Sequence, residues 1–418
     1  MQQPSHVVVL GAGYAGLMAA MRLAKKTRPD VAITLVNAGD AFYERVRNHQ
    51  LAAGESVGRH PLAALVRGTR IRLVQAVVTG VDPAGRRVLV RGAGGEADER
   101  SIAYDYLVYA LGSTSQTGRI PGAREHAYTL DHPSVAALSA RLPELARSGG
   151  RVLVVGGGPT GVELATEVAD AHPGLRVVLV TRREVLPRFS EAARAYVRGA
   201  LAGLGIELVE RTAIAEVRAD AAVADDGRRF PFDACVLTGG FGVSDLARRS
   251  GLRVNGLGQV LIDRTMRSLS HPEIYAVGDA AMPADAPGAP VRMSVVTALM
   301  MGAHGADSLA AHLRGTPPTA FGMSYGAAGI SLGRRNGVVQ FLDGSRDTPR
   351  RAILTGRLAV SVREFFVRVA LGMIKAQRTV PWVFEWPGRR KMRHVPVAPP
   401  ARPAHTPVRV ESTVPAER

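Results

Sequence analysis

The sequence predicts an α/β protein in which one strand–glycine loop–helix–strand unit occurs twice, the second inserted in the domain begun by the first, followed by a basic C-terminal segment with an amphipathic helix. Three observations predict it. The β-branched run HVVVL at His6–Leu10 feeds the loop GAGYAG and an apolar-periodic helix. The same order recurs about 145 residues on, as RVLVV from Arg151 and then GGGPTG. Beyond Gly258 the chain resumes the pattern of the first domain, with IYAVGDAA at Ile274–Ala281.

Each element follows in order. LMAAMRLAKK is the first helix, Pro29 and Asp30 end it, and VAITLVN is the second strand of a βαβ unit. Leu73–Val81 and Arg86–Val90 read as paired strands, and Tyr104–Leu111 as a strand running into GSTS. In the second unit, VELATEVADAH is the helix, Pro173 and Gly174 break it, and LRVVLVT is the strand. Ile206–Val209, Ile214–Arg218 and Asp233–Thr238 read as strands closing that sheet. A long small-residue helix spans Met293–His312. The resulting division is 1–118 and 257–335 for the first domain, 119–256 for the second, and 336–418 for the C-terminal segment.

Composition narrows the chemistry. Cys235 is the only cysteine, which excludes an intrachain disulfide, a CxxC pair and any cysteine-built metal site. It lies in the apolar run ACVLT and reads as a buried hydrophobe. The 11 histidines show no metal-ligand spacing, and no HExxH, GxSxG or P-loop occurs, so no metal site is expected. The net charge is +17, and residues 346–418 hold most of the excess, 15 Lys and Arg against 5 Asp and Glu. No charged leader precedes the first strand and no apolar run reaches spanning length. A cytoplasmic protein is expected, in contact with the inner face of the cell membrane only at its surface.

A pyrophosphate is held where backbone N–H groups converge at a helix N-terminus with no Cβ in the way. In the first loop Gly11 makes the turn, Gly13 permits close approach and Gly16 lets helix and strand pack; Gly156, Gly158 and Gly161 repeat these roles. One such loop is a weak signal, whereas two in the same context make two Rossmann-like dinucleotide-binding domains. The acidic residue that usually ends the second strand is replaced by Asn37 in the first unit and by Thr181 in the second. Asn37 retains hydrogen-bonding capacity for a ribose. Thr181 is followed by Arg182 and Arg183, which favours NADPH over NADH.

GAGYAG, YALGS at Tyr109–Ser113, GGGPTGVE at Gly156–Glu163 and YAVGDAA at Tyr275–Ala281, in that order, resemble the two-dinucleotide-binding flavoproteins. Within them the chain is similar to type II NADH dehydrogenases, over roughly residues 5–330. The resemblance implies FAD on Gly11, Ala12, Gly13, Tyr14, Ala15 and Gly16, helped by Ala110 and Gly112. It places Gly278 and Asp279 on the flavin's ribityl chain. NAD(P)H falls on Gly156, Gly158, Pro159, Thr160 and Gly161, with Thr181 and Arg182 at the adenosine end. Arg45, in FYERVRNHQ, is a candidate for the pyrophosphate or flavin edge, with an ion pair to Glu44 or a neighbour as its alternative. Glu163, at the start of the second helix, matches the family glutamate near the meeting point of nicotinamide and flavin and is the candidate catalytic residue.

The stretch SVVTALMMGAHG from Ser294 lacks the glutamines that line the quinone site of type II dehydrogenases, and Met300 and Met301 read as core or apolar wall. The expected activity is hydride transfer from NAD(P)H to FAD and electron delivery to a quinone or another acceptor. A ferredoxin-type reductase, using the basic surface to dock a redox protein, and a redox or binding flavoprotein like apoptosis-inducing factor stay open; nucleic acid is not the expected partner. Leu358, Val362, Phe365, Phe366, Val369 and Met373 share one helical face, with Glu364, Arg368, Lys375 and Arg378 opposite. That face suits an anionic membrane surface, packing on the protein, or a homodimer. From about Val395 the composition predicts a disordered tail.

Overall fold

The computed structural model describes residues 5–92, 99–284, 291–344 and 347–381; the predicted disordered tail lies outside them. His6–Leu10, almost wholly buried, pairs in parallel with Ala32–Asn37 on one side and Tyr106–Tyr109 on the other. Helix α1, Tyr14–Lys26, crosses between the first two and ends in Lys25 and Lys26, charges that suit the negative end of its dipole. The first sheet has seven strands in the order Ile274–Ala276, Tyr106–Tyr109, His6–Leu10, Ala32–Asn37, Ile71–Asp82, Arg87–Gly92 and Glu99–Ala103. Its outer strand Ile274–Ala276 therefore comes from beyond the second unit.

The second sheet is wholly parallel, in the order Ala127–Tyr128, Ala234–Leu237, Arg151–Val155, Arg176–Val180 and Glu207–Val209. Helix α2, Pro159–Ala171, opens with proline at its first turn, where a missing N–H costs nothing. Ile214–Val217 departs from the sequence expectation. It does not close this sheet but forms a separate antiparallel one with Ala221–Ala224 and Arg229–Pro231. A tight connection, with Arg218 N–H donating to Ala221 O at 2.8 Å, satisfies the backbone locally, whereas a parallel pairing would need a long crossover.

Helix α3, Val295–Leu313, lies against α1 so closely that a Cβ on Gly302 would stand 2.3 Å from Ala15 O. Its small residues exist for that approach. Arg22 of α1, fully buried, makes a two-pronged pair with Asp307 of α3, Nε–Oδ1 and Nη2–Oδ2 both 2.8 Å. Nη1 also donates to Gln377 Oε1 at 2.7 Å, which ties in the end of the last helix.

That helix, α4, Gly356–Ala376, packs on a three-stranded antiparallel sheet of Ala327–Ser331, Gly337–Asp343 and Thr348–Thr355. Its buried face is Ala359, Arg363, Val367, Ala370, Leu371 and Ile374. The apolar face expected from the sequence is a neighbouring one: its Leu358, Phe365 and Phe366 look outward, 61%, 61% and 63% exposed, while Val362 and Val369 are half-buried and Met373 packs at the core edge. Glu364, expected among the solvent-facing charges, is half-buried and bonded to protein arginines. Among the described residues no helix is long and apolar enough to cross a membrane.

Candidate functional site

The two glycine loops have the same geometry. Gly11 and Gly156 take left-handed φ values of 92° and 129°, and a Cβ on Gly16 or Gly161 would fall 1.9 or 1.8 Å from the carbonyl oxygen of the first glycine. Nothing lies within 4 Å of a Cβ built on Gly13 or Gly158, so the loop backbone is open to a ligand at the start of each helix. Ala12, Tyr14 and Ala15 are buried between them, while Pro159 and Thr160 start α2. Asn37 acts on the loop itself: its Oδ1 accepts Ala12 N–H at 2.9 Å and its Nδ2 donates to Gly39 O at 2.8 Å.

The strand end Tyr106–Tyr109 leads to Ala110, bonded to Leu10 O, and to Gly112, whose φ of 68° faces open space. Gly278, φ 72°, packs on Ala15, where a Cβ would lie 2.8 Å from the alanine's own. Beside it Ser113 Oγ donates to Asp279 Oδ2 at 2.6 Å. Asp279 Oδ1 is buried without a partner. Burial pushes this carboxyl above its ordinary range, against the pull of the Ser113 hydroxyl, the Arg45 charge and the Ser294 backbone N–H. An orphaned acceptor beside two bare glycines fits the hydroxyl-rich chain of a flavin nucleotide.

Arg45 pairs with Asp131 at 2.6 Å, not with Glu44, and donates to Ser113 O at 2.5 Å. Glu44 is taken instead by Arg47 at 3.3 Å and His60 at 3.1 Å, because the turn Arg45–Arg47 points alternate arginines to opposite sides. Arg45 thus bridges Asp131 to the loop that carries Ser113.

Glu163 lies one turn inside α2, which starts at Pro159, and faces the C-terminal segment. Its Oε1 accepts Arg363 Nε at 2.9 Å and Ser331 N–H at 3.1 Å. His49 Nδ1 stands 3.9 Å from Glu163 Oε2, and its Nε2 4.0 Å from Glu167 Oε1. Burial lowers His49 to about 4, and burial with the Glu163 charge raises Glu167 to about 7. Arg363 also holds Glu364 at 2.6 Å, which reaches Arg47 at 2.8 Å. The Tyr14 hydroxyl of the first loop is buried without a partner in the field of Glu44, Arg47 and Arg363. Of this network of His49, Glu163, Glu167, Arg47, Arg363 and Glu364, the sequence reading names only Glu163 as a site residue and places Glu364 among the solvent-facing charges. Its one signal is the second stripe of α4, in which Arg363 shares the spacing of Ala359 and Val367.

Cys235 is buried and its thiol pushed up to about 12, so it supplies no thiolate. Met301 is fully buried and Met300 packs at the core edge, as expected of wall residues. Thr181 is buried, while Arg182 and Arg183 are exposed at the rim of the second loop.

The profile of the family described as pyridine nucleotide-disulphide oxidoreductase matches residues 5–302. A type II NADH:quinone oxidoreductase of Staphylococcus epidermidis is 29% identical over 369 residues, covering 81% of this chain and 90% of its own. Among solved structures, NDH2 from Plasmodium falciparum in complex with NADH has a TM-score of 0.77 at 15% identity, covering 93% of this chain and 100% of that one. The sulfide:quinone oxidoreductase of Aquifex aeolicus has a TM-score of 0.75 at 19% identity, covering 91% and 93%.

Proposed function

The chain belongs to the pyridine nucleotide-disulphide oxidoreductase family, and from that premise we propose that it holds FAD on Gly11–Gly16 and Asp279, takes hydride from a nicotinamide coenzyme on Gly156–Gly161, and passes electrons to a quinone at a membrane surface. It is an FAD-dependent NAD(P)H oxidoreductase without the redox cysteine pair of its family's name, since Cys235 stands alone. Bound FAD supplies the two-electron chemistry, and the protein supplies orientation and electrostatics.

The observation that carries the reading is the repeated loop geometry together with the unpartnered Asp279 Oδ1. The Gly13 and Gly158 N-termini orient two pyrophosphates, and Asn37 keeps the first loop in shape through Ala12. Asp279, held by Ser113, accepts a hydroxyl at the ribityl chain. Arg45 offers positive charge beside that carboxylate. Glu163 is the proposed catalytic carboxylate, oriented by Arg363, and Glu167 beside it is raised by burial to about 7 while pairing with Arg334 Nε at 2.9 Å.

The outward face of α4 supports the membrane part. Two phenylalanines packed edge to face, 5.6 Å between ring centroids, stand exposed with Leu358, a costly arrangement in water alone. With Arg368 and Lys375 also exposed on α4, it suits the headgroup layer of an anionic bilayer. The purified protein should show flavin absorption that bleaches on anaerobic addition of NADH or NADPH and returns on addition of a short-chain quinone. Absent flavin, or flavin that neither coenzyme bleaches, overturns the proposal.

A further inference from the structure

We infer that the adenosine end of the second loop takes a 2′-phosphate, so that the electron donor is NADPH; this rests on reading Gly156–Gly161 as the nicotinamide-coenzyme site. A ribose 2′-hydroxyl is held by a carboxylate at the end of the second strand, whereas a 2′-phosphate is repelled by one and needs cations. Here that strand, Arg176–Val180, ends in Thr181. Thr181 is locked by its backbone, donating to Val209 O and accepting from Thr212 N–H, both at 2.9 Å. Its side chain lies against the glycine loop: a Cβ on Gly157 would stand 2.6 Å from Thr181 Cβ and Oγ1. The position that would present a carboxylate to the ribose presents a neutral hydroxyl.

The next residues wrap the loop. Leu186 N–H donates to Gly157 O at 2.8 Å from a left-handed backbone, φ 50°, which makes residues 182–185 the rim of the cradle. Arg211 N–H donates to Arg183 O at 3.3 Å and steadies that rim. Arg182 and Arg183 are exposed, and neither has an ion-pair or hydrogen-bond partner for its side chain among the described residues. The carboxylates close by in the chain are already committed. Glu184 pairs with Arg194 at 2.6 Å and Arg211 at 2.8 Å, and Glu210 with Arg198 at 3.1 Å and Val185 N–H at 2.7 Å. Two guanidinium groups are thus left for a dianion, in the planar geometry that binds phosphate oxygens two at a time.

The first loop is an internal comparison. FAD carries no 2′-phosphate, and there Asn37 is followed by Ala38, Gly39 and Asp40, with no cation in the matching place. The two cradles share their glycines and differ where a 2′-phosphate would be read.

The test is calorimetric titration of the flavin-loaded protein with adenosine 2′,5′-bisphosphate and with AMP, beside anaerobic flavin bleaching by NADPH and NADH. The bisphosphate should bind about tenfold or more tighter than AMP, as one charge-assisted contact requires. Arg182→Gln with Arg183→Gln should remove that margin and lower the NADPH-to-NADH ratio of bleaching rates by a similar factor, and Arg182→Lys should restore part of it. Equal binding of the two nucleotides, or an unchanged ratio in the double variant, overturns the inference. Bleaching by NADH alone overturns it while leaving the proposed function standing, whereas bleaching by neither coenzyme overturns the function itself.

Discussion

Arg363 Nη2 lies 2.8 Å from Glu163 Oε1, joining the last described helix to the helix of the second glycine loop with both side chains buried. A buried carboxylate stripped of its cation is costly, about 3–5 kcal/mol. Arg363→Met should lower unfolding stability by that order in urea titrations. Adding Glu163→Leu should recover most of the loss, because the uncompensated charge is then gone. A double variant no better than the single one would show that the pair does not act as a unit.

Asp279→Ala should yield protein with little bound flavin, since the buried acceptor beside Ser113 is lost. Asp279→Asn keeps an acceptor oxygen and should retain part of it. The ratio of flavin to protein absorbance reads both, with circular dichroism to establish that each variant is folded.

The buried pair His49 and Glu167 should shape the pH dependence of stability in opposite senses. Glu167 sits near 7 in the folded protein against an ordinary 4.5, so between those values the folded state holds a proton that the unfolded state has released. Its contribution therefore falls as pH rises through that window. His49 is lowered from 6.5 to about 4, so the unfolded state binds the extra proton and stability rises with pH over that span. Glu167→Gln should steepen the rise and His49→Gln should leave a net fall, each on the order of 3 kcal/mol across the window. Urea midpoints at half-unit pH steps measure this, and unchanged slopes would remove the assignment.

Phe365→Ser and Phe366→Ser should each weaken partitioning onto anionic vesicles by about tenfold or more, given about 1.5–3 kcal/mol for a phenylalanine moved out of water. Dye reduction by the coenzyme should persist, because neither ring contributes to the buried face of α4. Loss of dimer on gel filtration with vesicle binding intact would assign the face to a second copy instead. Point substitution is the proper test, since deleting α4 would also remove Arg363 from Glu163.

The glycine loops were legible because their constraints are local: a turn, an open approach and a helix contact fall at fixed spacing within six residues. Asp279 was legible through its motif, although its partner Ser113 lies 166 residues away. The ion pairs were not. Arg363 and Glu163 are 200 residues apart, Arg22 and Asp307 are 285 apart, and no periodicity encodes which charge meets which. Asn37 reads as a ribose contact because its residue type allows one, and the folded loop adds the Ala12 N–H that its Oδ1 accepts. On α4, two apolar stripes lie side by side, and hydropathy alone does not say which one meets the protein. The wider stripe holds both phenylalanines and drew the reading, yet the narrower one, with alanines and an arginine, fits the close approach.

The edge strand Ile274–Ala276 and helix α3 belong to a sheet and helix pair begun at His6, while every strand of the second sheet lies between Ala127 and Leu237. On a chain emerging from the ribosome, the inserted sheet has all its strands before the first sheet can have its own. Gly278 and Asp279 arrive with that final portion. The cradle around Asp279 is therefore finished after the one around Gly156, and a newly made molecule has its second glycine loop in place before its first is complete.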